Sequence, residues 1–193
     1  MRFLVIHAHP LPDSFQAELH RRVVTTLTAA GHHVDDCDLY AEGFQPVMGG
    51  EERRLYHCAG ANRRFVPSDV ERLLNCQGLV LVFPTWWYGM PAILKGYFDR
   101  VWLPGVAFEV AGGRTRPLLR NIERFAVVTT YGSPWWFNRL MGDPNRRVIT
   151  RGLRALFPRG VRMLWLARYG MDFADRHSCE RFLDRVERGM RTL

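Results

Sequence analysis

The sequence predicts an α/β fold built as a three-layer sandwich, with a five-stranded parallel sheet in the order 2-1-3-4-5 and helices on both faces. Three observations predict it. Strand-like and helix-like segments alternate to the end of the chain, the pattern of a doubly wound parallel sheet. The central strand segments are short runs that are apolar on both faces, as buried parallel strands require. Five strand segments in 193 residues suit the five-strand order better than a six-strand dinucleotide fold. With no repeat and no linker, residues 1–193 are read as one domain.

Phe3 to Ile6 is the first strand. A helix follows from Ser14 to Ala30, with Phe15, Leu19, Val23 and Leu27 at helical spacing. Ser14 is its N-cap and Gly31 its stop. His33 to Leu39 is a second strand, more polar and so nearer an edge. Residues 41 to 67 are broken by Pro46, Gly49 and Gly50, with a short helix between Glu51 and Ala59. Ser68 is expected to cap a helix to Asn75. Leu79 to Phe83 is the strongest strand, and Pro84 is expected to end it. Pro91 suits the first turn of a helix to Trp102. Residues 103 to 118 form an excursion with a hairpin turn at Gly112-Gly113. Phe125 to Thr130 is a fourth strand, residues 131 to 143 an aromatic loop, Asn145 to Phe157 a helix, Val161 to Arg168 a fifth strand, and Asp175 to Met190 the last helix.

Hydrophobic residues make up 47 % of the chain and charged residues 24 %, ordinary for a globular protein. The formal net charge is +8, and Lys95 is the sole lysine. A basic balance favours anionic partners, but no dense basic run or nucleic-acid motif is present, and nucleic acid is not expected as a partner. The excess is read as the mark of a genome whose base composition favours arginine wherever a cation serves. Cys37, Cys58, Cys76 and Cys179 form no CxxC pair and no zinc-type cluster. They read as isolated buried thiols in a reducing cytosol, and no metal is expected. The apolar stretch Gly78 to Leu94 is broken by Pro84, Gly89 and Pro91, too short for a membrane span. Four apolar residues before His7 are too few for a signal-peptide core. A cytoplasmic protein with no integral membrane association is expected.

In such a sheet ligands bind beyond the carboxyl ends of the strands, where the strand order reverses. The loops after strands 1, 3 and 4 hold the unusual residues. After strand 1 comes His7-Ala8-His9-Pro10-Leu11-Pro12-Asp13-Ser14-Phe15-Gln16, with neither standard nucleotide loop. It opens a helix, whose free N–H groups and dipole favour a phosphate, and His9 and Ser14 add side-chain donors. After strand 3 comes Phe83-Pro84-Thr85-Trp86-Trp87-Tyr88-Gly89-Met90-Pro91. Three adjacent aromatics in a Pro/Gly-framed loop suit a planar aromatic ligand, a buried aromatic cluster or a dimer interface. After strand 4, Thr129-Thr130-Tyr131-Gly132-Ser133-Pro134-Trp135-Trp136 lets the backbone approach a ligand closely.

These residues carry a resemblance. Phe83-Pro84 through Trp87-Tyr88-Gly89, then Pro91-Ala92-Ile93-Leu94-Lys95-Gly96, Asp99-Arg100-Val101-Trp102 and Gly105-Val106-Ala107-Phe108 are similar to the signature of the NAD(P)H:quinone oxidoreductases. These are flavodoxin-like flavoproteins, and include the modulator-of-drug-activity and potassium-efflux-ancillary types. His9 to Phe15 and Thr129 to Ser133 resemble the family too. The resemblance implies FMN, or alternatively FAD, held without covalent attachment, with NAD(P)H as hydride donor. It implies a homodimer with shared sites and ping-pong reduction of a quinone or other small aromatic acceptor. By match, His9, Ser14, Phe15 and Gln16 would hold the phosphates and ribityl chain. Pro84, Thr85, Trp86, Trp87 and Tyr88 would line the flavin ring, and Thr129, Thr130, Tyr131 and Gly132 would contact its pyrimidine end. Backbone donors at Tyr131 and Gly132 are the candidate catalytic groups, since charge develops at that end on reduction. The chain departs from the family at Tyr131, where glycine is common. It also departs beyond that loop, where Trp135, Trp136, Phe137 and Asn138 stand in place of a tyrosine and histidine that handle protons in mammalian members.

The remaining residues have plainer readings. Lys95 is read as structural and Asp99-Arg100 as a helix-surface or dimer-contact pair, with the helix Pro91 to Trp102 packing against a second subunit. The arginines of the last helix alternate with acids and form a solvated face. Arg114 and Arg116 are candidates for an NADP phosphate. An alternative function is a flavoprotein regulatory subunit of a membrane transporter, and a third is a one-electron carrier.

Overall fold

A computed structural model describes residues 1–193. Five parallel strands form one sheet: β1 (Arg2–His7), β2 (His33–Asp38), β3 (Gly78–Thr85), β6 (Arg124–Tyr131) and β7 (Arg162–Arg168), in the order β2-β1-β3-β6-β7. The parallel sheet is the expected one, but its last two strands are sixth and seventh along the chain. The excursion over residues 103–118 forms its own antiparallel hairpin, β4 (Phe108–Ala111) and β5 (Arg114–Pro117), turning at Gly112 and Gly113, both at positive φ.

Alternation along each strand divides the core. Leu4, Ile6, Leu79, Leu81, Phe83, Phe125 and Val127 face the layer holding α3 (Pro67–Asn75) and α4 (Ala92–Val101). Phe3, Val5, Val80, Val82, Ala126 and Val128 face α1 (Phe15–Ala29) and α7 (Arg176–Arg191). The two sets are the two faces of a period-2 backbone. Ser14 caps α1, its Oγ accepting from the Ala17 N–H at 3.2 Å.

Several local expectations change. Pro84 does not end β3; the strand runs on to Thr85, with Pro84 opposite Thr130. Ser68 is not a cap, because Pro67 takes the first helical position and moves the boundary to Val66. The segment after Tyr131 is not all loop. Pro134 starts α5 (Trp135–Leu140), and Asn138 Nδ2 donates to Ser133 O, Ser133 Oγ and Pro134 O. The helix expected over 145–157 is α-helical only at α6 (Pro144–Arg147), then π-helical over Val148–Leu153 and 3₁₀ over Arg154–Leu156. Three β-branched residues followed by Gly152 weaken regular helix there.

Helix α4 turns most of its surface into its own chain. Leu94, Tyr97 and Val101 are fully buried, and Arg100 is not a surface residue but pairs with Glu52 of α2 (Gly50–Leu55). A Cβ at Gly96 would run into Pro46, so the glycine lets the 41–67 segment lie on the helix. Ala92, Lys95 and Asp99 are the residues of α4 that face outward. Lys95 pairs with Asp99 one turn on.

Candidate active site at the carboxyl edge of the sheet

The ends of β1, β3 and β6 meet where the strand order reverses. The Thr85 and Thr129 hydroxyls lie 3.1 Å apart across the β3–β6 boundary, and Asn145 Nδ2 donates to Thr85 Oγ1 at 2.9 Å. Thr130 Oγ1 donates to Gln16 Oε1 at 3.2 Å, which ties the start of α1 to the end of β6. His9 and Trp86 approach with ring centroids 5.9 Å apart, joining the first and third loops. Three loops singled out by residue type alone thus converge on one edge.

The β1 loop is built to present donors. His9 Nδ1 and Ser14 Oγ lie 2.9 Å apart, and Ser14 Oγ donates to Leu11 O. The N–H groups of Phe15 and Gln16 begin α1 and find no acceptor in the chain. Such N–H groups at a helix start bind an anion well. Gln16 itself turns inward to Thr130, so its backbone and not its side chain faces this position.

The β3 loop closes as a tight turn. The Trp86 N–H donates to Gly89 O at 3.0 Å and the Gly89 N–H to Trp86 O at 2.9 Å. Between them Trp87 and Tyr88 both sit in the left-handed region, at φ 49° and 60°. Turns of this kind normally carry Asn or Gly there. An aromatic pair pays about 1–3 kcal/mol per strained residue, and such strain gathers at ligand sites. The turn leaves Trp87 97 % exposed and leaves the Trp87 and Tyr88 N–H groups without acceptors.

The β6 loop adds a further donor. The Gly132 N–H has no acceptor, while Gly132 O accepts from Asp172 N–H at 3.4 Å. Thr85, Trp87, Tyr88, Tyr131, Gly132, Ser133 and Asn138 line a cleft of about 230 Å³. Tyr131 offers it little side chain. Its phenol is buried, donates to Asp143 Oδ1 at 3.1 Å and stacks on Tyr169 at 4.5 Å. Burial, with the Asp143 carboxylate beside it, pushes this phenol far above its ordinary range, so it stays protonated.

A wider cleft of about 550 Å³ opens beside His9, lined also by His7, His20, Asp38 and Tyr40. His7 Nδ1 meets Asp38 Oδ2 at 3.1 Å, and His20 Nε2 meets Asp36 Oδ1 at 2.7 Å. The two imidazoles stack in parallel at 4.3 Å. Burial first, and the adjacent His20 second, hold His7 below its ordinary range.

Asp143, Asn145 and Asp172 escaped sequence reasoning. Asp143-Pro144-Asn145 looks like an ordinary turn, yet it delivers a buried carboxylate to Tyr131 and an amide to Thr85. Arg114 and Arg116 lie on the hairpin, which packs near the start of β7, away from this edge.

The unpaired N–H groups of Phe15, Gln16, Trp87, Tyr88 and Gly132, set around an exposed aromatic turn, fit a ligand with a phosphate at one end and a polar-edged ring at the other. Comparisons agree with this geometry. A family described as having a flavodoxin-like fold matches residues 1–161. An uncharacterised NAD(P)H oxidoreductase of Haemophilus influenzae is 34 % identical over 134 residues, 67 % of this chain and 64 % of that protein. The matched part spans 55 % of a second such protein, from Escherichia coli, at 36 % identity. This chain therefore covers less than two thirds of the length of these relatives. Among solved structures, an NAD(P)H:quinone oxidoreductase of Methanothermobacter marburgensis superposes with a TM-score of 0.81 at 28 % identity, covering 99 % of this chain and 98 % of that one. A protein of Streptococcus mutans superposes with a TM-score of 0.86 at 26 % identity over the whole of both chains. The chain belongs to the flavodoxin-like family.

Proposed function

We propose that the chain, acting as one flavin-binding unit, is an NAD(P)H oxidoreductase that reduces quinones or similar small aromatic acceptors by two-electron hydride transfer. The observation that carries this reading is the Trp86–Gly89 turn. Two aromatic residues hold left-handed backbone at an exposed edge, with their N–H groups free. A stacked ring with hydrogen-bonding edges repays that strain.

A bound flavin would supply the redox chemistry that passes a hydride from NAD(P)H to the acceptor. The protein binds and orients. The Phe15 and Gln16 N–H groups, with Ser14 and His9, hold the phosphate. Thr85 to Tyr88, entered through Pro84, line the ring. Thr129 and Thr130 support its pyrimidine end, where the Gly132 N–H offers a hydrogen bond to developing negative charge, with Tyr131 holding that backbone in place. One cleft serving both substrates in turn gives ping-pong order.

FMN is the favoured form on the compact length of the chain, and FAD is the alternative, since the cleft beside His9 has room for an adenosine. A homodimer covers Trp86 and Trp87, whose exposure suits a second copy at the mouth. No helix is long and apolar enough to cross a membrane, and the cytoplasm is the proposed compartment. Acid release of the flavin followed by chromatography tests the reading and separates FMN from FAD. Protein that is colourless, and stays so after incubation with either flavin, overturns it.

A further inference from the structure

The net charge of +8 is not spread over the chain. Residues 110–162 hold eleven arginines and two acids, and the other residues together are slightly acidic. A genome-wide preference for arginine would not segregate charge in this way. The pairing differs as well. Arg21, Arg22, Arg64, Arg72, Arg100 and Arg176 each meet a carboxylate. Of the eleven, Arg116 meets Glu109 at 3.8 Å and Arg124 Nε donates to Leu193 O at 2.8 Å; the others meet no side-chain carboxylate.

All but Arg124, which turns to Leu193 O, lie on or next to the hairpin or on the run from α5 to the start of β7. From the mouth of the cleft the chain runs through α5, α6, and the π and 3₁₀ turns to the start of β7, and the hairpin packs against the 3₁₀ turn. Arg116 and Arg120 line a cleft of about 410 Å³ with Leu156 and Pro158 at its far end. Large apolar side chains stand exposed between the arginines: Trp135 at 57 %, Trp136 at 61 %, Leu140 at 74 % and Val148 at 49 %. Tryptophan and aliphatic residues interleaved with arginine suit the headgroup layer of a bilayer, where the rings sit at the interface and the cations meet anionic lipid.

We propose that this flank docks on an anionic membrane surface, with α5 at the lipid boundary. A second copy seated on this flank would bring like charge against like charge. A nucleic acid offers the arginines a partner but gives Leu140 and Val148 none. The inference rests on charge and exposure and does not use the redox reading. Docking there would place the mouth beside apolar acceptors dissolved in the bilayer.

Flotation of the purified chain with phosphatidylcholine vesicles, with and without about 30 mol % phosphatidylglycerol, tests it. The chain should float with the anionic vesicles, and salt near about 0.5 M should release it. R151E/R154E should weaken binding by about tenfold or more while leaving thermal stability and reduction of a water-soluble acceptor unchanged. Brominated lipid should quench Trp135 and Trp136, read as the difference from W135F/W136F. Equal flotation with neutral vesicles, no flotation, unchanged binding by R151E/R154E, or capture by a single-stranded oligonucleotide in preference to anionic vesicles each overturns the proposal. Flavin retention is read on the same samples, so failure of docking and failure of the redox reading are distinguishable.

Discussion

Arg100 donates through Nε to both carboxylate oxygens of Glu52, at 2.9 and 3.0 Å, and both side chains are nearly buried. The same guanidinium also reaches Gln45 O and lies over the Phe44 ring. One arginine of α4 therefore pins the 41–67 segment to the core. Glu52→Ala leaves a buried, unpaired cation and should cost about 3–5 kcal/mol in urea unfolding. Replacing both residues with apolar side chains of similar volume should cost much less.

The left-handed turn makes a prediction of opposite sign. Trp87→Gly removes a side chain that touches almost nothing in the free protein and relieves φ 49°. Stability should rise by about 1 kcal/mol, the strain released less the entropy of a new glycine. Flavin affinity, measured by fluorescence quenching on titration, should fall in the same variant. A variant that is both more stable and undiminished in flavin binding would show that the strain serves something other than the ligand.

Gly132 lies close to its neighbour. A Cβ there would stand 2.8 Å from both carboxylate oxygens of Asp172, the free end of an exposed side chain that can swing aside. Gly132→Ala should therefore cost less than about 1 kcal/mol in urea unfolding. A larger loss that Asp172→Ala in the same chain recovers would show that the carboxylate is held in place.

His7 supplies a pH dependence. Its folded pKa lies below the ordinary 6.5, held down by burial and by His20. The unfolded chain therefore binds the proton more readily. Stability from this group is fully present above about pH 6.5 and is lost as pH falls through the depressed folded value. Unfolding midpoints should drop between about pH 7 and pH 5. His7→Asn should flatten that slope in part, because His32 is also depressed and pulls the same way. An identical slope in the variant would remove His7 as its source.

The strands and the loop positions were legible because each rests on local pattern. Leu79 to Phe83 is apolar on both faces and admits one reading. Ser14 caps α1 as its side chain dictates. The loops of Trp86 and Gly132 were found because aromatic and small residues stand where a parallel sheet opens. Arg100 was misplaced because a charged residue beside Asp99 reads as surface. Only the fold of residues 41–67 brings Glu52 to it. Helix α5 was read as loop because its aromatic residues match no helical period, while its start depends on Pro134 and on three hydrogen bonds from Asn138.

By itself the sequence determined the five parallel strands, the two apolar faces and the three loops that carry the candidate site. These follow from period-2 and period-3.6 patterning, which local residues impose. Tertiary structure decided the backbone at Trp87 and Tyr88, the burial of Tyr131 against Asp143 and Tyr169, and the Asn145–Thr85 contact. Each of these joins residues distant in the chain or sets a backbone angle against local preference. Only closure of the whole sheet and its packing fixes such features.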